Sequence, residues 1–217
     1  MDSFGGHPLK GGREMNPRMT RTRWLLLALA VMPMLVALPV RALDTYDIDP
    51  THSNAGFRAR HLFGQVPGRF TDFSGVLQYD PAKPENSTIE ITIQAKSIST
   101  DNDMRDNHLR GADFFDVATY PTITFKSTKV VPGSDATHFN VTGDLTIHGV
   151  TKPVIVAVEV LGFGDTPMGY RGGFSATTTI NRQDFGVKWN KTLDTGGTLV
   201  GDQVQIDFPL EVVKRKA

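Results

Sequence analysis

The stretch FNVTGDLTIHGVTKPVIVAVEV, residues 139–160, places apolar residues at alternate positions on both sides of a His148-Gly149 pair. Alternation with a period of two is typical of a β-strand that buries one face, and a helix with one buried face does not produce it. The His148-Gly149 pair supplies the turn signal between the two runs. The stretch therefore predicts two antiparallel strands joined by a tight turn.

The same alternation occurs before and after this stretch. Runs with a period of two also cover residues 55–61, 89–94, 122–126, 174–180 and 204–212. With the turn signals between them, they predict an all-β fold, an eight-stranded antiparallel barrel. A sandwich and an outer-membrane barrel alternate in the same way. Short apolar runs and one helical interruption favour the soluble barrel over the outer-membrane barrel.

The interruption is TDNDMRDNHLRGADFFDVATYP, residues 100–121. It predicts an α-helical insertion at about residues 101–116. Thr100 is expected to be the N-cap, with Asp103 completing a capping box, and Gly111 is expected to end the helix.

Two acid-first pairs four residues apart are expected to stabilise the exposed face of this helix. They are Asp101 with Arg105 and Asp106 with Arg110, and each is worth about 0.2–0.5 kcal/mol. The apolar residues at 112–117 follow the helix. A helix tied to such a cluster is either a plug in the barrel end or a lid over an apolar cavity.

Residues 1–42 have the order of a secretory signal: a basic segment, an apolar run from Trp24 to about Val40, and small residues up to Ala42. We expect cleavage after Ala42, which leaves residues 43–217 as one domain in the periplasm or outside the cell. The apolar run is shorter than the roughly 20 residues of a spanning helix. We therefore expect a protein that does not span the membrane, with an uncleaved anchor as the alternative.

Composition excludes several classes of function. Residues 43–217 carry 17 Lys and Arg against 21 Asp and Glu, a net charge of −4, so no nucleic-acid partner is expected. The chain has no cysteine, which excludes thiol catalysis and thiolate zinc sites. The histidines lack metal-ligand spacing, so no metal or cofactor is expected. Asp49, His52 and Ser53 are too close together in the chain for a hydrolytic triad, so no hydrolase is expected.

Four segments together resemble the YceI family of secreted, lipocalin-like proteins. They are YDIDPTHSNAGFRARHL (46–62), SISTDNDMRDNHLRGADFFDVATYPTITFKST (97–128), VTGDLTIHGVTKPV (141–154) and INRQDFGV (180–187). The resemblance implies an eight-stranded barrel with a helical insertion around a long hydrophobic tunnel. It also implies binding of one long-chain isoprenoid or acyl lipid, such as a polyprenyl phosphate, a polyprenyl quinone or a fatty-acid derivative, without catalysis.

The resemblance and the alternation together give the predicted site. Head-group contacts at the barrel mouth are expected from Arg105, His108, Arg182, His52 and His61. The apolar cavity is expected to be lined by Phe57, Phe114, Phe115, Ile123, Phe125, Val141, Leu145, Phe174, Ile180, Phe185 and Phe208. The helix is expected to act as a lid with its two phenylalanines pointing inward.

Two other functions and one assembly state stay open at this point. The protein is an envelope stress-response protein if the barrel core is simply packed. It is an enzyme acting on a bound lipid if His52 or His108 lies beside a nucleophile in the cavity. The sequence also leaves open whether the protein forms a homodimer.

Overall fold

The computed structural model describes residues 43–194 and 196–216, and the predicted signal peptide lies outside this range. This part of the chain contains eleven strands and one α-helix. The strands are β1 (Asp44–Ile48), β2 (Ala55–His61), β3 (Gly64–Phe70), β4 (Phe73–Tyr79), β5 (Thr88–Gln94), β6 (Ile98–Ser99), β7 (Thr122–Pro132), β8 (His138–Ile147), β9 (Val150–Thr166), β10 (Gly169–Asn181) and β11 (Val200–Lys214); the helix is α1 (Asp103–Arg110). No helix in the described ranges combines the length and the apolar character needed to cross a membrane.

Eight strands form a closed antiparallel ring, which confirms the predicted fold class. The order is β1-β4-β5-β7-β8-β9-β10-β11, and pairing of β11 with β1 closes it. The other three strands continue members of this ring. β2 continues β1 along β11, β3 continues β4, and β6 continues β5. Three of the eight barrel positions are therefore long strands with an interruption.

Between β1 and β2 the chain leaves the barrel wall for a few residues. The hydrogen bonds to β11 continue on both sides of this interruption. Pro50 lies in it and has no backbone N–H to donate. On either side, Asp49 N donates to Glu211 O at 2.8 Å and Asn54 N donates to Pro209 O at 3.0 Å. The residues between them leave the wall while β11 keeps its hydrogen bonds.

The inward positions of the strands form the core, as the alternation predicts. Two inward glycines are covered by aromatic rings. A Cβ atom on Gly143 would lie 2.4 Å from Phe125 Cζ, and one on Gly68 would lie 2.2 Å from Phe57 Cζ. From the sequence alone, an inward glycine such as Gly143 is compatible with a bend or with space for a ligand. In the structure the Phe125 ring fills the space beside Gly143.

Helix α1 is shorter than the predicted insertion at about 101–116. Its N-cap is Asn102 rather than Thr100, because the Asn102 side chain accepts a hydrogen bond from Arg105 N at 3.0 Å. The helix ends before Gly111, as expected. The following residues form turns instead of helix, with Asp116 N donating to Gly111 O at 2.9 Å.

The two expected ion pairs along α1 are wrong. Asp106 is only 4% exposed and accepts hydrogen bonds from the backbone N and the hydroxyl of Thr100. Arg105 donates to the Thr100 hydroxyl and carbonyl at 2.7 and 2.9 Å. Asp101 instead pairs with Arg69 on β3 at 3.1 Å. Both helix residues therefore stabilise the chain entering α1, because that chain has buried polar groups to satisfy.

Arg110 has a similar role at the edge of the short strand β6. Its Nε donates to Lys96 O and its Nη2 donates to Ile98 O, both at 2.8 Å. These carbonyls lie where strand pairing stops, and a guanidinium can satisfy several acceptors at once. The helix therefore covers a sheet edge that would otherwise be exposed at this end of the barrel.

Replacing the buried Asp106 tests this part of the fold. Asp106→Ala leaves the Thr100 N–H and hydroxyl without their acceptor, so we expect the free energy of unfolding to fall by about 2 kcal/mol. The exposed Asp103→Ala, in the first turn of the same helix, should cost less than about 1 kcal/mol. Urea denaturation measures both, and equal stabilities of the two variants would contradict this role of Asp106.

Candidate functional site

The barrel encloses a cavity of about 280 Å³ whose accessible wall is entirely apolar. Small-molecule sites commonly measure about 300–1,000 Å³, so this volume lies near the lower end of that range. The wall is built from the inward positions of the barrel strands together with apolar residues of α1 and the segment after it. Alternation along the strands is therefore what makes the cavity apolar.

All eleven residues predicted to line an apolar cavity do lie in its wall. They are Phe57, Phe114, Phe115, Ile123, Phe125, Val141, Leu145, Phe174, Ile180, Phe185 and Phe208. Phe114 is buried, and Phe115 packs edge-on against Phe70 with ring centroids 5.7 Å apart. The two phenylalanines after α1 therefore point inward, while their contact with a ligand stays a prediction.

An aromatic cluster covers the cavity at the α1 end. The His108 ring lies 5.0 Å from the Phe114 ring and 5.0 Å from the Trp189 ring, and Phe114 and Trp189 are 5.1 Å apart. His108 also pairs with Asp113 at 3.0 Å. It packs over this end as part of the cover and does not contribute to the cavity wall.

A second aromatic cluster covers the opposite end. Phe163 stacks on Tyr79 at 4.9 Å and lies edge-on to Tyr46 and Phe174, both at 5.5 Å. A register shift between Gly173 and Phe174 marks a bulge in the pairing of β9 with β10 at this level. At the same end the cavity lining includes Pro84 and Ser87 of the loop before β5 and Thr88, the first residue of β5. These residues are partly or fully exposed.

Arg182 is the one charged residue in the cavity lining among the described residues. Its guanidinium is buried and donates to the carbonyls of Gly201, Val187 and Trp189 at 2.7–2.9 Å. A fourth contact, at 3.3 Å, goes to Asp202. Burial lowers the pKa of Arg182 from its ordinary value. Four of the five guanidinium N–H groups are thus used by the protein itself.

The other predicted head-group residues lie outside the cavity wall. Arg105 is exposed and bound to Thr100. His61 is expected beside Phe57 on the inward face, but it is exposed at the end of β2, where the strand extends beyond the wall. The structure brings His108 and Arg182 to the same end of the barrel, because both contact Trp189.

A family model described as a YceI-like domain matches residues 46–212, which is most of the chain. The chain belongs to the YceI family. A UPF0312 protein of Shewanella sp. (strain W3-18-1) is 36% identical over 194 residues, covering 88% of this chain and 98% of the relative.

Solved structures show the same YceI fold. BcnA of Burkholderia cenocepacia superimposes with a TM-score of 0.68 at 32% identity, covering 76% of this chain and 98% of BcnA. A polyisoprenoid binding domain from Saccharophagus degradans, implicated in plant cell wall breakdown, superimposes with a TM-score of 0.61 at 19% identity, covering 80% and 99%. At that identity the second match shows the shared fold alone.

The third predicted head-group histidine, His52, lies in a polar cluster of this YceI barrel away from the cavity wall. His52 Nδ1 lies 2.9 Å from Asp49 Oδ2, and Arg171 Nη1 donates to Asp49 at 2.6 Å and also to Glu211. Asp49, His52 and Glu211 are close enough to share a metal ion. The Arg171 guanidinium already neutralises both carboxylates, so the cluster is better suited to joining β1, β10 and β11 than to binding a cation.

Several lining residues are missing from the predicted set, although the alternation signals most of them. Val154, Val156, Val158 and Val160 share one face of β9 in the sequence and line the cavity. Tyr79 also lines the cavity but has no such signal, because its stacking on Phe163 depends on pairing between distant strands.

Arg182 is expected to be essential for stability. Arg182→Ala leaves three carbonyls without their donor, so the free energy of unfolding should fall by about 3 kcal/mol or more. Arg58→Ala is the control, because Arg58 is about half exposed and 4.0 Å from Asp207, and it should cost less than about 1 kcal/mol. Urea denaturation gives both values. An Arg182→Ala protein as stable as Arg58→Ala would contradict the assignment.

The Asp49 cluster predicts a loss of stability in acid. The Arg171 guanidinium that donates to Asp49 holds the pKa of this carboxyl well below its ordinary value, with a smaller contribution from His52. Because the folded pKa is depressed, the stabilisation is present above the ordinary pKa of about 4 and is lost as pH falls through the folded value.

Asp49→Asn should therefore lower stability by about 1–3 kcal/mol at pH 7 and flatten the decline below pH 4. Thermal unfolding of both proteins from pH 7 to pH 2 measures this. Parallel curves for the two proteins would show that Asp49 does not cause the decline.

Proposed function

We propose that this protein binds one long apolar chain, an isoprenoid or acyl lipid, inside its barrel and carries or sequesters it. The observation that supports this most directly is the cavity inside the barrel, whose accessible wall is entirely apolar. The accessible surface of this wall is apolar, so a polar molecule would bury most of its polar groups without partners, which is costly. A flexible hydrocarbon chain is the ligand class that matches it.

The energetics suit such a ligand. Each buried CH₂-sized unit contributes about 0.8 kcal/mol. Ten such units therefore provide roughly 8 kcal/mol, against an association cost of about 4 kcal/mol or more before ordering of the chain. Binding then depends on chain length more than on any single polar contact.

Arg182 is our candidate for contact with the head group. It is the charged residue of the described cavity lining, and one N–H of its Nη2 is left after the four contacts to the protein. A phosphate, carboxylate or quinone oxygen that reaches this end of the cavity would accept from it. Arg105, His108, His52 and His61 lie outside the wall, so they have weaker support as head-group residues.

Two relationships support the lipid class. The chain is a YceI-family member, and the Saccharophagus degradans barrel of the same fold is described as a polyisoprenoid binding domain. The signal pattern in residues 1–42 supports export, so we place the mature domain, residues 43–217, in the periplasm or outside the cell.

The other two functions have less support. A stress-response protein with a simply packed core does not require a cavity of about 280 Å³. An enzyme acting on a bound lipid requires His52 or His108 beside the lipid, and neither lies in the described cavity lining. We therefore propose a binding role.

A pair of alanine substitutions tests the proposal. Ala176 lines the cavity, whereas Ala157 is exposed on the neighbouring strand β9. Ala176→Phe should fill cavity volume and lower affinity for a polyprenyl phosphate, a polyprenyl quinone and palmitate by about tenfold or more. Ala157→Phe should leave affinity unchanged.

Equilibrium titration of each lipid measures the effect, with circular dichroism confirming that both variants fold. Equal affinities of the two folded variants would place the lipid outside the barrel. A wild-type protein that binds none of the three lipids would also refute the proposal.

A further inference from the structure

The turn between β2 and β3 breaks two local rules at once. The strands pair up to His61 and Gly64, so Leu62 and Phe63 form a two-residue turn. Leu62 has φ +51°, a conformation that such turns normally assign to glycine, asparagine or aspartate. Phe63 is 101% exposed. A strained leucine therefore presents a phenylalanine to solvent, at a place where a polar pair would form the turn at lower cost.

The rest of the described barrel does not explain Phe63, because a fully exposed ring packs against nothing in it. Leu62, by contrast, is half-buried and fixed: its N donates to Leu199 O at 2.9 Å, and its carbonyl accepts from Arg60 Nη1 at 2.8 Å. The turn is thus firmly attached while its aromatic side chain projects. The ring is therefore held in a position from which it can contact another surface.

Cations surround this turn. Leu199, which bonds to Leu62, also donates from its N to Lys191 O at 2.9 Å, so the two hairpin loops lie side by side. Arg60 and Lys191 are exposed there, and Asp194 is the one acid among residues 188–194. Arg60 and Lys191 therefore place two exposed cations near Phe63, with Asp202, next to Gly201 on β11, as a nearby acid.

We propose that the β2–β3 turn docks the barrel on a phospholipid bilayer with anionic head groups. Aromatic rings are favoured at the membrane interface, and nearby Lys and Arg are attracted to anionic lipids. A single projecting ring suits insertion between lipids. A stable protein interface buries about 1,000 Å² or more with shape complementarity, which one phenylalanine on a turn does not supply.

The position of the turn connects it to the cavity. Ala59 and Val200 line the cavity, and Val200 pairs with His61 next to the turn. Ala59 is four residues before Phe63, about 13 Å along an extended chain. Docking through Phe63 therefore brings this end of the cavity to the bilayer. Resting on the proposed function, this makes the turn a membrane docking point for a barrel that carries lipid.

Sedimentation with vesicles tests the docking without any added ligand. Residues 43–217, whose described part closes a complete barrel, are mixed with vesicles of phosphatidylcholine alone or with phosphatidylglycerol. We expect stronger binding to the anionic vesicles, weakened by salt. Phe63→Ser should reduce partitioning by about tenfold or more. Met168→Ser is the control, because Met168 is 60% exposed at the opposite end of the barrel.

Three results would overturn the proposal. The first is equal vesicle binding by wild type and Phe63→Ser, and the second is an equal loss of vesicle binding in Met168→Ser and Phe63→Ser. The third is binding only to membranes that retain their proteins. Phe63→Trp provides a check that does not depend on lost stability. It should keep vesicle binding, and its fluorescence should shift to shorter wavelength on the vesicles.

Lipid affinity in solution separates this proposal from the proposed function. Phe63→Ser should bind a polyprenyl phosphate like wild type while losing the vesicles. If no variant binds the lipid but Phe63 still controls vesicle binding, the docking proposal stands and the carrier function fails.

Discussion

The antiparallel pairing of β1 with the last residues of β11 is the contact on which the rest of the structure depends, because it converts an open sheet into a ring. Closure pairs the two strands that would otherwise be sheet edges. It also turns the inward face of every barrel position toward the same volume, so that simple alternation produces an apolar wall. Rings placed over Gly68 and Gly143 then reduce the space that remains for a ligand.

Polar residues support the places where this pairing is interrupted. The Asp49–Arg171 pair lies beside the interruption between β1 and β2, Arg110 satisfies carbonyls around β6, and Arg182 satisfies carbonyls after β10. Asp106 does the same for the chain entering α1. Arg110, Arg182 and Asp106 thus supply hydrogen bonds that backbone groups would otherwise lack, whereas the Asp49–Arg171 pair links side chains beside the interruption.

The sequence predicts the wall of the barrel well and its polar residues poorly, and the reason is physical. The inward position of a residue such as Phe125 follows from a local period of two, so all eleven predicted lining residues lie in the wall. The role of Asp106 depends on which backbone groups lack a partner, and those are set by pairing between distant segments. The same holds for His52 and for the stacking of Phe163 on Tyr79. Helix α1 is shorter than the predicted insertion at about residues 101–116, because the residues after Arg110 form turns instead of helix.

The central claim is that the apolar cavity is a lipid site rather than unused space in a packed core. Native mass spectrometry of the exported protein, purified without detergent, tests it most directly, with extraction to identify what is bound. The account predicts one isoprenoid or acyl lipid per barrel. A spectrum with only the mass of the bare chain, unchanged after addition of polyprenols, polyprenyl quinones and fatty acids, would contradict it.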